Sequence, residues 1–349
     1  MASSDTRPGD GGTSHSRGRI IRSVVAAAAA ALNLVASTPT RPLLLVFAVV
    51  QWILVGAVAA TLGHDGSLAI VIPQVVVLLP IVLVLVHGTA LRLGGRVFAA
   101  WATLVWIVLP YAGLVYATPS LRHDYAHQFL PHVLGLADDP RFPAMVAFLA
   151  AMLFTLRALE TDAMLDLAIA VGAAGLGAAF APQSAVVAAA PVVALVVAGR
   201  WRLAAAAAAG LAILLGTVGL AVAAGPLAPP FAHVGFHGPG NALAGLSENF
   251  WSGRVLEWFA LAGIAGAFRG RRAVGSMIAL ALLAALLSAP GEHTSLDRNL
   301  ALLQAFLPVF PALGIAVASI PLLVRHGPAR RTATQELRAL SSAFADRLK

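Results

Sequence analysis

Apolar runs alternate with short polar turns along most of the chain. Ten such runs can be placed, at 43–61, 69–87, 97–117, 143–157, 163–181, 184–199, 203–224, 255–268, 273–289 and 299–324. Several approach the roughly 20 residues that a helix needs to cross a bilayer. None shows the alternating segments of about 10 residues that mark a membrane β-barrel. The pattern predicts an all-α polytopic membrane bundle of about ten transmembrane helices, occupying 41–325. Pro80, Pro110, Pro191 and Pro308 fall inside runs and predict kinks. The carbonyls that they free must find partners on neighbouring helices.

The flanks differ. Residues 1–18 are rich in Gly, Ser and Asp, a composition that does not fold on its own. An Ala-rich stretch behind three arginines, 19–37, reads as a helix lying in the membrane interface. A secretory leader is the other reading, but Ala drives insertion weakly and a full span follows at once. The segment 1–40 is thus expected to be a cytoplasmic tail with an interfacial helix, and 326–349 a basic cytoplasmic tail.

Composition sharpens the class. The chain of 349 residues is 59% hydrophobic and 11% charged, against about 25% charged in a soluble domain. There is no Cys, which removes disulfide, thiolate and iron–sulfur chemistry. The net charge of +8 is sorted by topology. With the N-terminus cytoplasmic, 19 of the 23 Lys and Arg fall on the inner side, leaving Arg122, Arg141, Arg254 and Arg298 outside. That asymmetry supports cytoplasmic termini and an even number of spans. It also argues against nucleic acid as a partner, because the positive charge is spread over turns and tails.

The same sorting places seven of the ten His and seven acids outside. The two longest loops between runs, 118–142 and 225–254, are also outer. In the first, His123 and His127 stand four apart and His132 follows Pro131. The spacing H-x3-H-x4-H matches no strong zinc signature, so no metal is assigned. The loop reads as an amphipathic helix on the membrane surface, with Tyr125, Phe129 and Leu130 dipping into lipid. Asp124 is the better candidate for chemistry, as a general base taking a proton from a hydroxyl. Asp138 and Asp139, before Pro140, fit a cap on the next helix. Asp65 lies in the first outer turn, 61–68, as either a turn residue or a carboxylate at the membrane surface. The Pro/Gly-rich loop 225–254 fits a lid or a plain connector. Arg298 and Arg254, each at the outer mouth of a run, are placed to hold a lipid phosphate. Within the runs, Gln51 is expected to bond to a neighbouring helix, and Asp166 to favour a helix N-terminus.

From about residue 85 onward, over some 240 residues, the chain resembles the integral-membrane glycosyltransferases of the GT-C class that use polyprenyl-phosphate sugars. The stretches that carry the likeness are LRLGGRVFAAWATLVWIVLPYAGLVYA, DPRFPAMVAFLAAMLFTLRALE, LDLAIAVGAAGLGAAFAPQSAVVAAAPVVALVVAGRWR and LDRNLALLQAFLPVFPALGIAVAS. They share basic turns, a Gly-rich span followed by a tight turn, and a late span with Arg at its outer mouth. The departure is the first outer loop. In that class it is long and holds an acidic catalytic motif; here it is short, with Asp65 alone.

The resemblance implies sugar transfer from a polyprenyl-phosphate donor to an extracytoplasmic glycan or protein acceptor, at a bacterial cytoplasmic membrane. Asp65 or Asp124 would be the base. Arg298, with Arg254, His123 and His127, would contact substrate. No cofactor is required; a divalent cation is possible but not indicated. The alternatives are a polytopic transporter and a non-catalytic scaffold of the same fold.

Overall fold

The computed structural model describes residues 40–63, 66–116, 119–223, 255–288 and 305–324. Helix is the only regular structure among them. In chain order, α1 is Thr40–Leu62, α2 Leu68–Gly94 and α3 Arg96–Tyr116. The next helix, α4, is built in three consecutive pieces, Pro119–Asp124, a π segment Tyr125–Phe129, and Leu130–Val133. Then come α5 (Arg141–Thr161), α6 (Met164–Phe180), a 3-10 stretch Pro182–Ala189, α7 (Ala190–Val197) and α8 (Trp201–Ala223). The remainder is α9 (Val255–Gly270), α10 (Arg272–Ser288), a 3-10 turn Leu307–Val309, α11 (Phe310–Ser319) and α12 (Pro321–Val324).

Among the described residues, each of the ten apolar runs falls mostly on helix. Among the described residues, α1, α2, α3 and α5 are long and apolar enough to cross a membrane. Six further apolar helices of 10–17 residues match the other six runs. The interfacial helix expected at 19–37, both tails and the loop 225–254 lie outside the described residues.

Proline shapes several of these helices. A proline lacks the N–H that would bond one turn back, and its ring crowds that carbonyl. Around Pro80 the helix widens into a π turn, Gln74–Leu78, where the Leu79 N–H bonds to the Gln74 carbonyl. Pro80 then has nothing to give the Val75 carbonyl. The indole of Trp52 on α1 donates to it at 2.9 Å. The same device recurs in α4, where the π segment Tyr125–Phe129 ends two residues before Pro131. Pro191 and Pro308 are met instead by the tighter 3-10 winding of Pro182–Ala189 and Leu307–Val309. Near Pro321, the Trp101 indole on α3 donates to the Ala318 carbonyl at 3.2 Å. Of the four prolines expected to kink their helices, Pro80, Pro191 and Pro308 thus coincide with changes of winding, while Pro110 lies in an unbroken α-helix; indoles from neighbouring helices serve carbonyls near Pro80 and Pro321.

The core is one large cluster from α2, α3, α4, α5, α10 and α11, with a smaller one where α5, α6, α7 and α8 meet. The helix α1 is peripheral: 17% of its most apolar window is buried, against 56% for α5. Its Leu45, Val46, Val49 and Ile53 are exposed, as expected of a lipid-facing helix. Gln51 on α1 is buried, but its Oε1 has no hydrogen-bond partner among the described residues, so the bond expected of it is not seen.

Two ends of the bundle can be told apart. At one, Glu160 joins Arg92 (3.2 Å) and Arg271 (2.5 Å), Arg157 pairs with Asp166 (3.2 Å), and Arg200 with Asp162 (3.3 Å). These pairs tie together the α2–α3, α5–α6, α7–α8 and α9–α10 turns. Asp166 stands in the first turn of α6, where a carboxylate also meets the positive end of the helix dipole. At the other end lie the α1–α2 turn and α4.

Helix α9 meets α11 backbone to backbone. A Cβ added at Gly263 would fall 2.1 Å from the Ala316 carbonyl oxygen, and one at Gly266 2.1 Å from that of Ser319. Only glycine fits such contacts. Gly263→Ala is therefore expected to destabilise the bundle by about 1–3 kcal/mol. Gly216→Ala in α8, where a Cβ meets nothing within 4 Å, is expected to be neutral or to stabilise by up to about 1 kcal/mol. Thermal unfolding in detergent compares the two; equal melting temperatures would contradict the backbone contact.

Candidate functional site

The helix α4 is fixed to the bundle by aromatic side chains. Tyr125 lies on Gly113 of α3, where even a methyl group would come within 2.2 Å of its ring. Its hydroxyl donates to the Pro110 carbonyl at 2.5 Å. Burial pushes this hydroxyl well above the usual tyrosine range, so it stays a donor. Phe129 is fully buried and stacks between Tyr125 (5.1 Å) and Phe310 of α11 (5.4 Å). Phe310 in turn meets Trp106 edge-on at 6.1 Å. Tyr125, Phe129 and Leu130 thus dip into protein and not into lipid. Apolar periodicity identifies a buried face without saying what buries it.

At Gly135 the chain turns back. Its φ is +75°, with Leu136 N–H bonding to the Pro131 carbonyl at 2.8 Å and Gly135 N–H to that of His132 at 3.2 Å. This is a Schellman cap, which needs a left-handed residue and so favours glycine. Gln74, in the π turn of α2, is buried. With its amide nitrogen facing the turn, it donates to the Gly135 and Ala137 carbonyls at 2.9 and 3.0 Å. Gly66, in the first turn, packs so closely that a Cβ would lie 2.9 Å from the Asp138 amide.

The reversal brings Asp139 beside His132. Asp139 is 3% exposed, and both its oxygens are engaged. His132 Nδ1 meets Oδ2 at 2.7 Å. Arg141 gives its backbone N–H to Oδ1 at 2.9 Å, its Nε to both oxygens at 2.9 Å, and its Nη2 to Oδ2 at 2.7 Å. Burial on its own would raise the pKa of this carboxyl. The hydrogen bonds from His132 and Arg141, with the guanidinium charge, outweigh it and hold the group well below the usual carboxylate range. The N-cap position of α5 is Pro140, without a side-chain cap, so the cap expected of these acids is not formed; Asp139, one residue earlier, accepts the Arg141 N–H instead. Asp138 is exposed.

The sequence candidates separate accordingly. His123 and His127 are exposed on α4 and Asp124 is half-buried between them in sequence. Gln128 Nε2 donates to Asp124 Oδ1 at 3.5 Å. The two imidazoles lie side by side, their centroids 4.5 Å apart. His132 is drawn away from them to Asp139. Asp65, Arg254 and Arg298 lie outside the described residues. No cluster of three or more His, Asp or Glu placed to hold a metal occurs among the described residues.

Sequence reasoning missed Gln74, the His132–Asp139 pair and the seat of Tyr125 on Gly113. The run Asp-Pro-Arg before an apolar stretch was a usable signal for the fixed carboxylate. The imidazole partner depends on the turn at Gly135. Comparison of the chain with protein-family models, with curated proteins and with solved structures found no match.

The Asp139 carboxylate makes a pH-dependent contribution to stability. Its native pKa is lowered, so the stabilisation is complete above the unfolded value of about 3.9 and is lost as pH falls below it. Asp139→Ala is expected to cost about 2–3 kcal/mol at pH 7. The gap between the melting temperatures of wild type and variant should hold down to about pH 4 and narrow steadily from there toward pH 2. A gap that stays constant from pH 4 to 2 would refute the assignment.

Proposed function

We propose that the chain is a GT-C-like membrane glycosyltransferase of a bacterial cytoplasmic membrane, with ten spans and both termini cytoplasmic. It would move a sugar from a polyprenyl-phosphate donor to an extracytoplasmic acceptor. The observation that carries the reading is α4: a helix held rigidly at the end of the bundle opposite the Arg–Glu belt, with Asp124 and two imidazoles on its outer side. The match of ten apolar helices to ten apolar runs supports the topology, as does the concentration of basic side chains at one end.

In this reading the acceptor hydroxyl attacks the anomeric carbon as the carbon–oxygen bond to the lipid phosphate breaks. Asp124 takes the hydroxyl proton, and the polyprenyl phosphate leaves with the bonding electrons. Arg298 and Arg254 would meet the growing phosphate charge. Asp65 is the other candidate base. The Asp139 hub positions α4 and takes no proton, because its charge is already committed to His132 and Arg141. That commitment is also what favours a second reading, a non-catalytic scaffold of the same architecture: the firmly fixed outer carboxylate is occupied in holding a loop.

Transfer of labelled sugar from polyprenyl phosphate, followed in membranes, separates the two. Asp124→Asn is expected to lower the rate by about 10²–10⁴-fold at unchanged protein level, and Asp138→Asn to leave it unaltered. Full transfer in both Asp124→Asn and Asp65→Asn would end the catalytic assignment, and absence of transfer in the wild type would favour the scaffold.

A further inference from the structure

We propose that His123 and His127 form a two-imidazole site for a divalent transition-metal ion of the zinc, nickel or copper kind. The inference rests on how the two rings are held and stands whether or not the chain transfers sugar.

The centroids are 4.5 Å apart and the ring planes are tilted by 49°. A metal-bound imidazole nitrogen lies about 2.0–2.1 Å from the ion, and the ring centre about 1.2 Å further back. Two such rings therefore have centroids about 4.6 Å apart at a square angle and about 5.3 Å apart at a tetrahedral one. The observed spacing is close to the square-angle value, so the rings need little change of separation to share one ion. Both rings are exposed, which leaves the remaining coordination positions open to water.

The backbone between them is anchored to the bundle. Tyr125, two residues after His123 and two before His127, is buried and tied to the Pro110 carbonyl. Phe129 is wholly inside the core. The pair is thus mounted on a fixed frame, and little ordering has to accompany binding. The third histidine of the loop does not take part, because its Nδ1 is held by Asp139. Neutral nitrogen donors select zinc, nickel or copper over magnesium or calcium, which prefer oxygen.

The test uses the full chain, without a polyhistidine tag, purified in detergent and freed of metal. Ni²⁺ is titrated into wild type, His123→Ala and His127→Ala by calorimetry. The wild type is expected to bind one equivalent more than either variant, and the double variant to lose no more than each single one. Melting temperatures in chelator check that the variants are folded; His123→Gln and His127→Gln replace any that are not. Equal stoichiometry in all proteins, loss in one single variant only, or a wild type that binds no Ni²⁺ would each overturn the proposal.

Discussion

A helix bundle without water around it must satisfy its own backbone, and this chain places prolines throughout its apolar helices. That constraint shapes the molecule. Where Pro80 withholds an N–H, the helix loosens to a π turn and Trp52 crosses from α1 to serve the Val75 carbonyl. Where the chain breaks near Pro321, Trp101 does the same for Ala318. An indole suits this task, since most of it is apolar and it carries one donor. The peripheral α1 is thereby given a specific bond to the bundle, although most of its surface faces outward.

The end that carries α4 follows a related rule, applied to charge. A carboxylate that is 3% exposed persists in ionised form only when its oxygens are paired. Asp139 meets that condition by drawing in one imidazole and one guanidinium, and these come from both sides of the Gly135 turn. The loop is held from above by the charge and from below by Gln74 and the column of Tyr125, Phe129, Phe310 and Trp106. What remains exposed on α4 is a rigid row of polar groups.

Much of the helical architecture could be read from hydropathy. The run 97–117 anticipates Arg96–Tyr116 almost to the residue. The run 69–87 falls short of Gly94, because His87, Gly88 and Thr89 look like a polar ending. In fact His87 is buried and bonds to Thr103 of α3 at 3.2 Å, so the polar residues are internal and the helix continues. The candidate site was legible as a place and not as a set of contacts. The segment 118–142 was recognisable as the chemically rich one. Which of its acids is fixed depends on a glycine-enabled reversal and a glutamine from another helix. Neither leaves a pattern in the local sequence.

The glycine contacts between α9 and α11 bear on how the protein tolerates change. Side chains elsewhere can repack around a substitution, but carbonyl oxygens seated on Cα atoms have no rotamers to exchange. A replacement at Gly263 or Gly266 must be answered by moving α11 as a rod. The other end of that rod is Phe310, on which Phe129 stacks. A lesion at these contacts would thus be felt at α4, about two turns away along α11. Damage to the candidate site can arise far from any residue that touches it.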